Sequence, residues 1–457
     1  MSVLFFIVLF LLILLICCFY RRKTIFSLPN IYILMNLIYL LGIIFLTNPN
    51  NPNNISLVIV HIVGLTSFLL GVQFVRLVMQ TFKISSSNIC HSADLKACFI
   101  ANSSSFERIF AWGLLVFSIF MGLLYYKLVG YNLFMSGLKN FLSEGSLSIE
   151  HAAKLRLDAY SGGRYLAPGY FNQFKNIIAV ILWQYLFVYY DLVNKRKKIF
   201  LLIILPLIIS SLLGTGQRSA FAFSVISFLI FWISVHKGKF LKPIILSLII
   251  FFVLFTSTSA IIGRGVTGDF SLFGTFSKGT IQLLERVFLV NPDSAQYGFE
   301  YIKEKKVPPQ YFSETLMMLR NMLPFNKSRV ISIDHLVYTD RYGSSYGGTS
   351  PLSTYGNIWY DSRLLGVFFF SVFLGIVYEI MSCRFENTNN LFTASCWSYG
   401  KLILGFWMSG GPMSLLYKGI ITIFLLLVIR FFINILRNFL MKQHPLANND
   451  PGNFMTS

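Results

Sequence analysis

Three arginines, Arg218, Arg264 and Arg363, stand at the ends of long apolar runs of this sequence. Arg218 follows the turn 214–217 (Gly-Thr-Gly-Gln), which leaves backbone N–H groups near the start of a helix. A helix N-terminus and a planar guanidinium both suit phosphate oxygens. The pattern predicts a site for a lipid-borne phosphate or diphosphate, and snorkelling of single arginines to ordinary lipid phosphate is the alternative.

Further cations extend this pattern to other parts of the chain. Arg156 and Arg164 lie in one polar segment and either complete a cationic pocket or are solvated loop charges. Lys401 lies inside an apolar run, where a charge is expensive and usually has a reason. It either holds an anion in a water-filled cavity or packs against a polar partner such as His61.

Candidate proton acceptors occur in a long polar segment near residue 330. The pair Asp334-His335 is the first to test, because transfer to a sugar hydroxyl benefits from a general base, whereas a diphosphate leaving group needs no general acid. The alternative is an aspartate that caps a loop beside an exposed histidine.

Aromatic residues follow this pair in the glycine-rich stretch 338–360. Tyr355, Trp359 and Tyr360 have flat faces of the kind that stack on sugar rings, although the same composition describes an aromatic belt at a membrane interface. No DxD-type motif, Walker loop or paired-histidine helix occurs, so the sequence predicts neither a metal nor another cofactor.

The elements that position these residues are predicted to be membrane helices. Of the 457 residues 55% are hydrophobic and only 12% are charged, more apolar surface than a soluble globule could bury. The net charge of +20 lies mostly in short loops, which favours a topological role over nucleic-acid binding. Apolar runs long enough to cross about 30 Å of hydrocarbon predict about eleven transmembrane helices, near 2–20, 28–46, 55–80, 108–129, 174–192, 198–213, 217–235, 242–262, 363–382, 391–409 and 413–436.

The basic clusters at 21–23, 195–198 and 237–242 agree with one topology, with the N-terminus outside and the C-terminus inside. The large outer loop has two predicted amphipathic helices, at 275–290 and 293–305, suited to lie on a bilayer surface. The predicted domains are helices 1–4 in 1–129, a first outer loop at 130–173, helices 5–8 in 174–262, a large outer loop at 263–361, helices 9–11 in 363–436, and a cytoplasmic tail at 437–457.

Two stretches resemble the Wzy-type oligosaccharide repeat-unit polymerases, also called O-antigen polymerases. One is the glycine-rich turn and arginine of 214–219, which open a long apolar helix. The other is Ser350-Pro351 followed by 355–360 (Tyr-Gly-Asn-Ile-Trp-Tyr) and Leu365-Gly366. With the helix number and two outer loops, the likeness extends over most of the chain.

The resemblance implies a C-type glycosyltransferase fold in a bacterial inner membrane, with the active site facing the periplasm. It implies transfer of a growing glycan from undecaprenyl diphosphate to a new lipid-linked repeat unit, without metal or nucleotide sugar, and a chain-length regulator protein as a further partner. The diphosphate contact falls to Arg218 and then to Arg264. The family's pattern of arginine, ten residues, then glycine is not met, because Arg164 leads to Lys175 and Arg264 to Thr275.

Two other functions fit parts of the sequence. An O-antigen ligase, which moves the finished glycan to lipid A-core, shares the donor, and His335 keeps that option open. A flippase for lipid-linked repeat units is the second, and Lys401 favours it mildly, but the concentration of loop mass on the outside argues against transport. The stretch 355–360 favours the polymerase.

Overall fold

The computed structural model describes residues 27–48, 51–82, 95–142, 168–216, 218–236, 289–321, 332–343, 349–386 and 388–443, with the isolated positions 281 and 285. Of these residues 84% are helical and none forms a strand, so the described part of the chain is all-α.

The helices vary in length from single turns to rods longer than a bilayer is thick. A π-helical turn, Phe174–Ile178, joins the sixth helix to the seventh. The helices are α1 (Leu28–Leu46), α2 (Pro52–Thr81), α3 (Leu95–Ala101), α4 (Ser105–Val129), α5 (Leu133–Leu142), α6 (Pro168–Gln173), α7 (Ala179–Leu192), α8 (Lys197–Leu213), α9 (Arg218–Val235), α10 (Asn291–Glu304), α11 (Ser313–Asn321), α12 (Ile333–Tyr342), α13 (Thr354–Phe385), α14 (Leu391–Gly405), α15 (Met413–Tyr417) and α16 (Ile420–Gln443).

Helices α1, α2, α4 and α13 are long and apolar enough to cross a membrane, as expected of a helical membrane protein. Shorter apolar helical segments are Ser219–Val235 and Ile420–Leu436. The predicted runs at 2–20 and 242–262 lie outside the described residues, so the total of eleven crossings stays a prediction. The ninth predicted helix, at 363–382, is the later part of α13, which begins at Thr354.

The two longest helices, α2 and α13, approach each other at their glycines. A Cβ atom added to Gly71 would lie 2.1 Å from the carbonyl oxygen of Val372, and one added to Gly375 would lie 2.2 Å from that of Phe68. Small residues allow such backbone contact between membrane helices, where dispersion between close surfaces replaces the hydrophobic effect. This contact fixes the position of α13 in the bundle.

Helix α10 packs on the ends of α1 and α2. Tyr39 Oη donates to the carbonyl oxygen of Asn291 at 2.8 Å, and Gln296 Nε2 donates to that of Ile43 at 3.0 Å. The prediction of a helix at 293–305 is confirmed, but its buried face, which includes Phe299, contacts protein and does not lie open to a bilayer. Of the predicted helix at 275–290, only positions 281, 285, 289 and 290 are described.

Other turns meet at this same end of the bundle. Leu133 N donates to the carbonyl oxygen of Gly214, and Thr354 N donates to that of Met408. At the opposite end, the Glu386 carboxylate accepts the N–H of Leu28. The structure therefore gathers the described parts of the predicted outer loops at one end, and which side of a membrane that end faces stays a prediction.

Candidate active site

Helix α13 is broken at Ser362 and Arg363, close to its first third. Arg363 has φ 57° and ψ −164°, a region that is almost restricted to glycine and costs a residue with a side chain about 1–3 kcal/mol. The break is held by neighbours, because Ser362 Oγ donates to the carbonyl oxygen of Ile358 at 3.1 Å. Strain of this kind clusters at functional sites, where the surrounding structure enforces it.

The guanidinium of Arg363 is only partly satisfied. Its Nη2 donates to the carbonyl oxygen of Val307, and its Cζ lies 4.5 Å from the ring centroid of Trp359. Its Nη1 is buried and has no hydrogen-bond partner among the described residues. Burying a charged N–H donor without an acceptor is costly. Nη1 is therefore available to donate a hydrogen bond to an oxygen of a ligand.

Three carboxylates, Glu314, Asp334 and Asp361, lie within electrostatic range of Tyr360, as Arg363 does. Each accepts a backbone N–H from a different segment, which fastens α11, α12 and the residues before α13 together. The bonds are Ile333 N to Glu314 Oε2 at 3.1 Å, Leu352 N to Asp334 Oδ1 at 3.2 Å and Phe312 N to Asp361 Oδ1 at 3.2 Å.

The two of these carboxyl groups that lie before α13 have pKa values raised toward neutral pH. Burial raises the pKa of Glu314 to about 7; the negative charges of Asp334 and Asp361 add to this increase, and the bond from Ile333 N opposes it. Burial likewise raises the pKa of Asp334 to about 6, opposed by the bond from Leu352 N. Carboxylates with such pKa values accept a proton near pH 7 more readily than ordinary ones, as a general base requires.

The predicted aromatic residues lie on α13 just before Arg363, at different depths in the protein. Tyr360 is 7% exposed and lies near Arg363 and the carboxylates. Trp359 packs between Arg363 and Phe299, whose ring centroid is 4.4 Å away. Tyr355 is fully buried, so it presents no free face to a sugar. In this structure these rings pack against protein, and sugar stacking by Tyr355 would require it to leave its packing.

The predicted pair Asp334-His335 is split between two environments. Asp334 faces the carboxylate cluster, whereas His335 is exposed on α12. The aspartate therefore belongs to the site through its burial, and the histidine lies on the outer surface of the loop.

The remaining predicted residues lie elsewhere or outside the described chain. Arg218 begins α9, as predicted from the turn at 214–217, but its side chain lies outside the described part of the structure. Lys401 is 4% exposed within α14 and is within range of the Glu386 charge. His61, its suggested partner, bonds to the carbonyl oxygen of Leu57. Arg156, Arg164 and Arg264 fall outside the described residues.

Sequence reasoning did not assign Glu314 or Asp361 to the site. Asp361 was recognisable only as one acidic residue of the large loop, and Glu314 only as an acidic residue near the start of a short helix. Within the described ranges, no group of three or more histidines, cysteines or acidic residues converges as a metal site.

No protein family, curated protein or solved structure matches this chain. Function is therefore inferred from a strained arginine and three partly or fully buried carboxylates in a helical membrane protein.

Proposed function

We propose that this protein is a membrane glycosyltransferase that polymerises undecaprenyl-diphosphate-linked oligosaccharide repeat units into O-antigen or a similar surface polysaccharide at the periplasmic face of the inner membrane. The observation that carries the proposal is Arg363, which has a strained backbone and a buried N–H group without a partner among the described residues. Nearby are Glu314 and Asp334, whose pKa values are raised by burial. The resemblance at 214–219 and 350–366 to the O-antigen polymerases supports the same chemistry.

The reaction needs an anion-binding group and a base. The bond between the anomeric carbon and the diphosphate oxygen breaks, and the diphosphate leaves with the electron pair. The acceptor hydroxyl oxygen forms the new bond to that carbon, and its proton passes to a carboxylate, for which Asp334 and Glu314 are the candidates. Arg363 Nη1 binds an oxygen of the reacting groups, and Arg218 contacts the diphosphate, where negative charge develops.

The three carboxylates also hold the loop segments in place, so their structural and chemical roles must be separated. Asp334→Asn keeps an oxygen that accepts the N–H of Leu352 but removes the basicity. We expect it to fold and to lose activity by about 10²–10⁴-fold, the usual contribution of a general base. Asp340→Asn is the matched control, because Asp340 is an exposed carboxylate on the same helix.

The test of Arg363 compares two truncations in purified protein supplied with lipid-linked repeat units. Arg363→Ala and Arg363→Gly both remove the guanidinium, and only glycine relieves the backbone strain. We expect both to lose the ladder of polymer lengths on a gel, while the glycine variant is about 1–3 kcal/mol more stable than the alanine variant. Normal ladders from both variants would refute the role of Arg363.

The O-antigen ligase is a second candidate, favoured by the exposed His335 on α12. Gene deletion in the host separates the two functions. Loss of a polymerase leaves single repeat units on the lipid core, and loss of a ligase leaves none. If the lipid core carries no repeat units after the gene is deleted, the protein is the ligase and the polymerase proposal is refuted.

A further inference from the structure

A buried lysine, Lys175, lies on the π-helical turn between α6 and α7 and is not one of the residues described around Arg363. Lys175 is 1% exposed, and its Nζ donates to Asn176 Oδ1 at 2.9 Å. It lies 5.1 Å from the ring centroid of Tyr125 and 5.8 Å from that of Tyr126. No carboxylate of the described residues contacts it. Burying an ammonium without an anionic partner is expensive, and π-turns are frequent at functional sites.

A cavity of about 50 Å³ lies against this ammonium, between α4, α7 and α8. Its polar wall includes Asn132, Ser210 and Ser211. The hydroxyl of Ser211 is buried without a hydrogen-bond partner in the described part of the chain. An unpaired hydroxyl and an uncompensated ammonium on one small cavity have the chemistry of a site for an anion with several oxygens.

The position of the cavity suggests where such an anion comes from. Leu123 and Leu207 line the cavity and are 58% and 51% exposed, so the cavity lies directly behind an exposed apolar surface of the kind that lipid covers in a membrane protein. The turn before α9 is adjacent, because a Cβ atom on Gly214 would lie 2.5 Å from the Tyr126 ring and 2.7 Å from Asn132 Nδ2. Both Tyr126 and Asn132 line the cavity.

We infer that this cavity binds a phosphoryl group of the lipid-linked diphosphate, which enters from the lipid between α4 and α8 with Lys175 as its counter-charge. The inference rests on the proposed function for the identity of the lipid and names a binding residue of that substrate. The hydrocarbon chain stays in the bilayer beside Leu123 and Leu207, and the phosphoryl oxygens contact Lys175 and Ser211. The neighbouring start of α9 provides a second set of donors for the same diphosphate.

The test measures binding to the full-length protein in lipid nanodiscs by calorimetry, with inorganic diphosphate, farnesyl diphosphate and farnesol as probes. Lys175→Met removes the charge and keeps an apolar stem, so it should raise the thermal stability of the protein. It should also weaken the binding of farnesyl diphosphate about 10- to 100-fold, the equivalent of one charge-assisted hydrogen bond. Lys127→Met is the matched control, because Lys127 is an exposed lysine in the last turn of α4, next to the cavity-lining Tyr126. Farnesol should bind all variants alike.

Each result separates this inference from the proposed function. Equal affinity of the wild type and Lys175→Met for farnesyl diphosphate would overturn the site. Lys175-dependent binding of inorganic diphosphate alone would overturn the lipid source. Because the measurement needs no sugar transfer, a protein that binds farnesyl diphosphate through Lys175 but forms no polymer would refute the polymerase and leave this site standing.

Discussion

The substitution Gly71→Ala tests the contact that holds α13, and with it the strained arginine, in the bundle. The added Cβ would lie 2.1 Å from the carbonyl oxygen of Val372, whereas ordinary contact begins at 3.4 Å. The clash is with backbone, so no side chain can rotate away and the helices must separate by about 1 Å. A gap of that size forfeits a quarter to a half of each dispersion contact, and we expect a loss of about 3 kcal/mol, the upper range for overpacking.

The matched control is Gly113→Ala on α4, where nothing lies within 4 Å of the added atom. Alanine is about 1 kcal/mol better than glycine in a helix interior, so the same substitution should stabilise the protein there. The assay is unfolding of purified protein in detergent, followed by fluorescence. Gly375→Ala should resemble Gly71→Ala, and the double variant should cost less than the sum, because one separation relieves both clashes. A Gly71→Ala protein as stable as the wild type would refute this account of the helix contact.

Three further substitutions test other parts of the structure. Glu314→Gln keeps an acceptor for its backbone partner; because burial raises the folded-state pKa of Glu314 to about 7, the stabilisation from its bound proton is full below its ordinary value and is lost as pH rises through 7. The variant should therefore be about 1 kcal/mol more stable than the wild type at pH 8, after allowance for solvent screening, and equal to it at about pH 4, below the ordinary pKa of glutamate, in thermal unfolding; a constant difference across pH would contradict the shift. Glu107→Ala should cost about 3–5 kcal/mol, measured by denaturant unfolding, because the carboxylate is 1% exposed and accepts from Arg430 Nε at 2.8 Å; a neutral result would mean that the pair is solvated. Tyr39→Phe removes the hydroxyl that donates to Asn291 and should cost about 1 kcal/mol, with faster proteolysis of α10 as the readout; unchanged proteolysis would show that other contacts suffice to hold this helix.

The membrane helices could be predicted from the sequence because a long uninterrupted run of apolar residues is enough to indicate one. The predicted run at 28–46 coincides with α1, whose apolar residues end at a polar segment rich in asparagine and proline. The start of α13 could not be predicted in this way. Its first turns, from Thr354, contain polar and aromatic residues that indicate a loop, and the helix there is begun by Ser353, whose hydroxyl accepts the N–H of Gly356.

The candidate site could be predicted only in part, because its geometry depends on contacts between residues that are far apart in the sequence. Arg363 and Asp334 were identified from residue type and their places in the loop pattern. Glu314 was missed because its carboxylate becomes significant only when Ile333 and the other acidic groups are folded around it. Lys175 was noted only as a departure from a family pattern, and its burial depends on the packing of α4 against the π-helical turn.

The backbone of Arg363 has an evolutionary consequence. Arginine codons become glycine codons by a single base change, so mutation repeatedly offers this position the residue that fits its dihedral angles without cost. A lineage under selection for stability alone would accept that exchange, since it recovers about 1–3 kcal/mol of strain. In a population of variants selected for folding alone, glycine should therefore replace arginine at this position, whereas selection for the function of the guanidinium should keep arginine despite the strain.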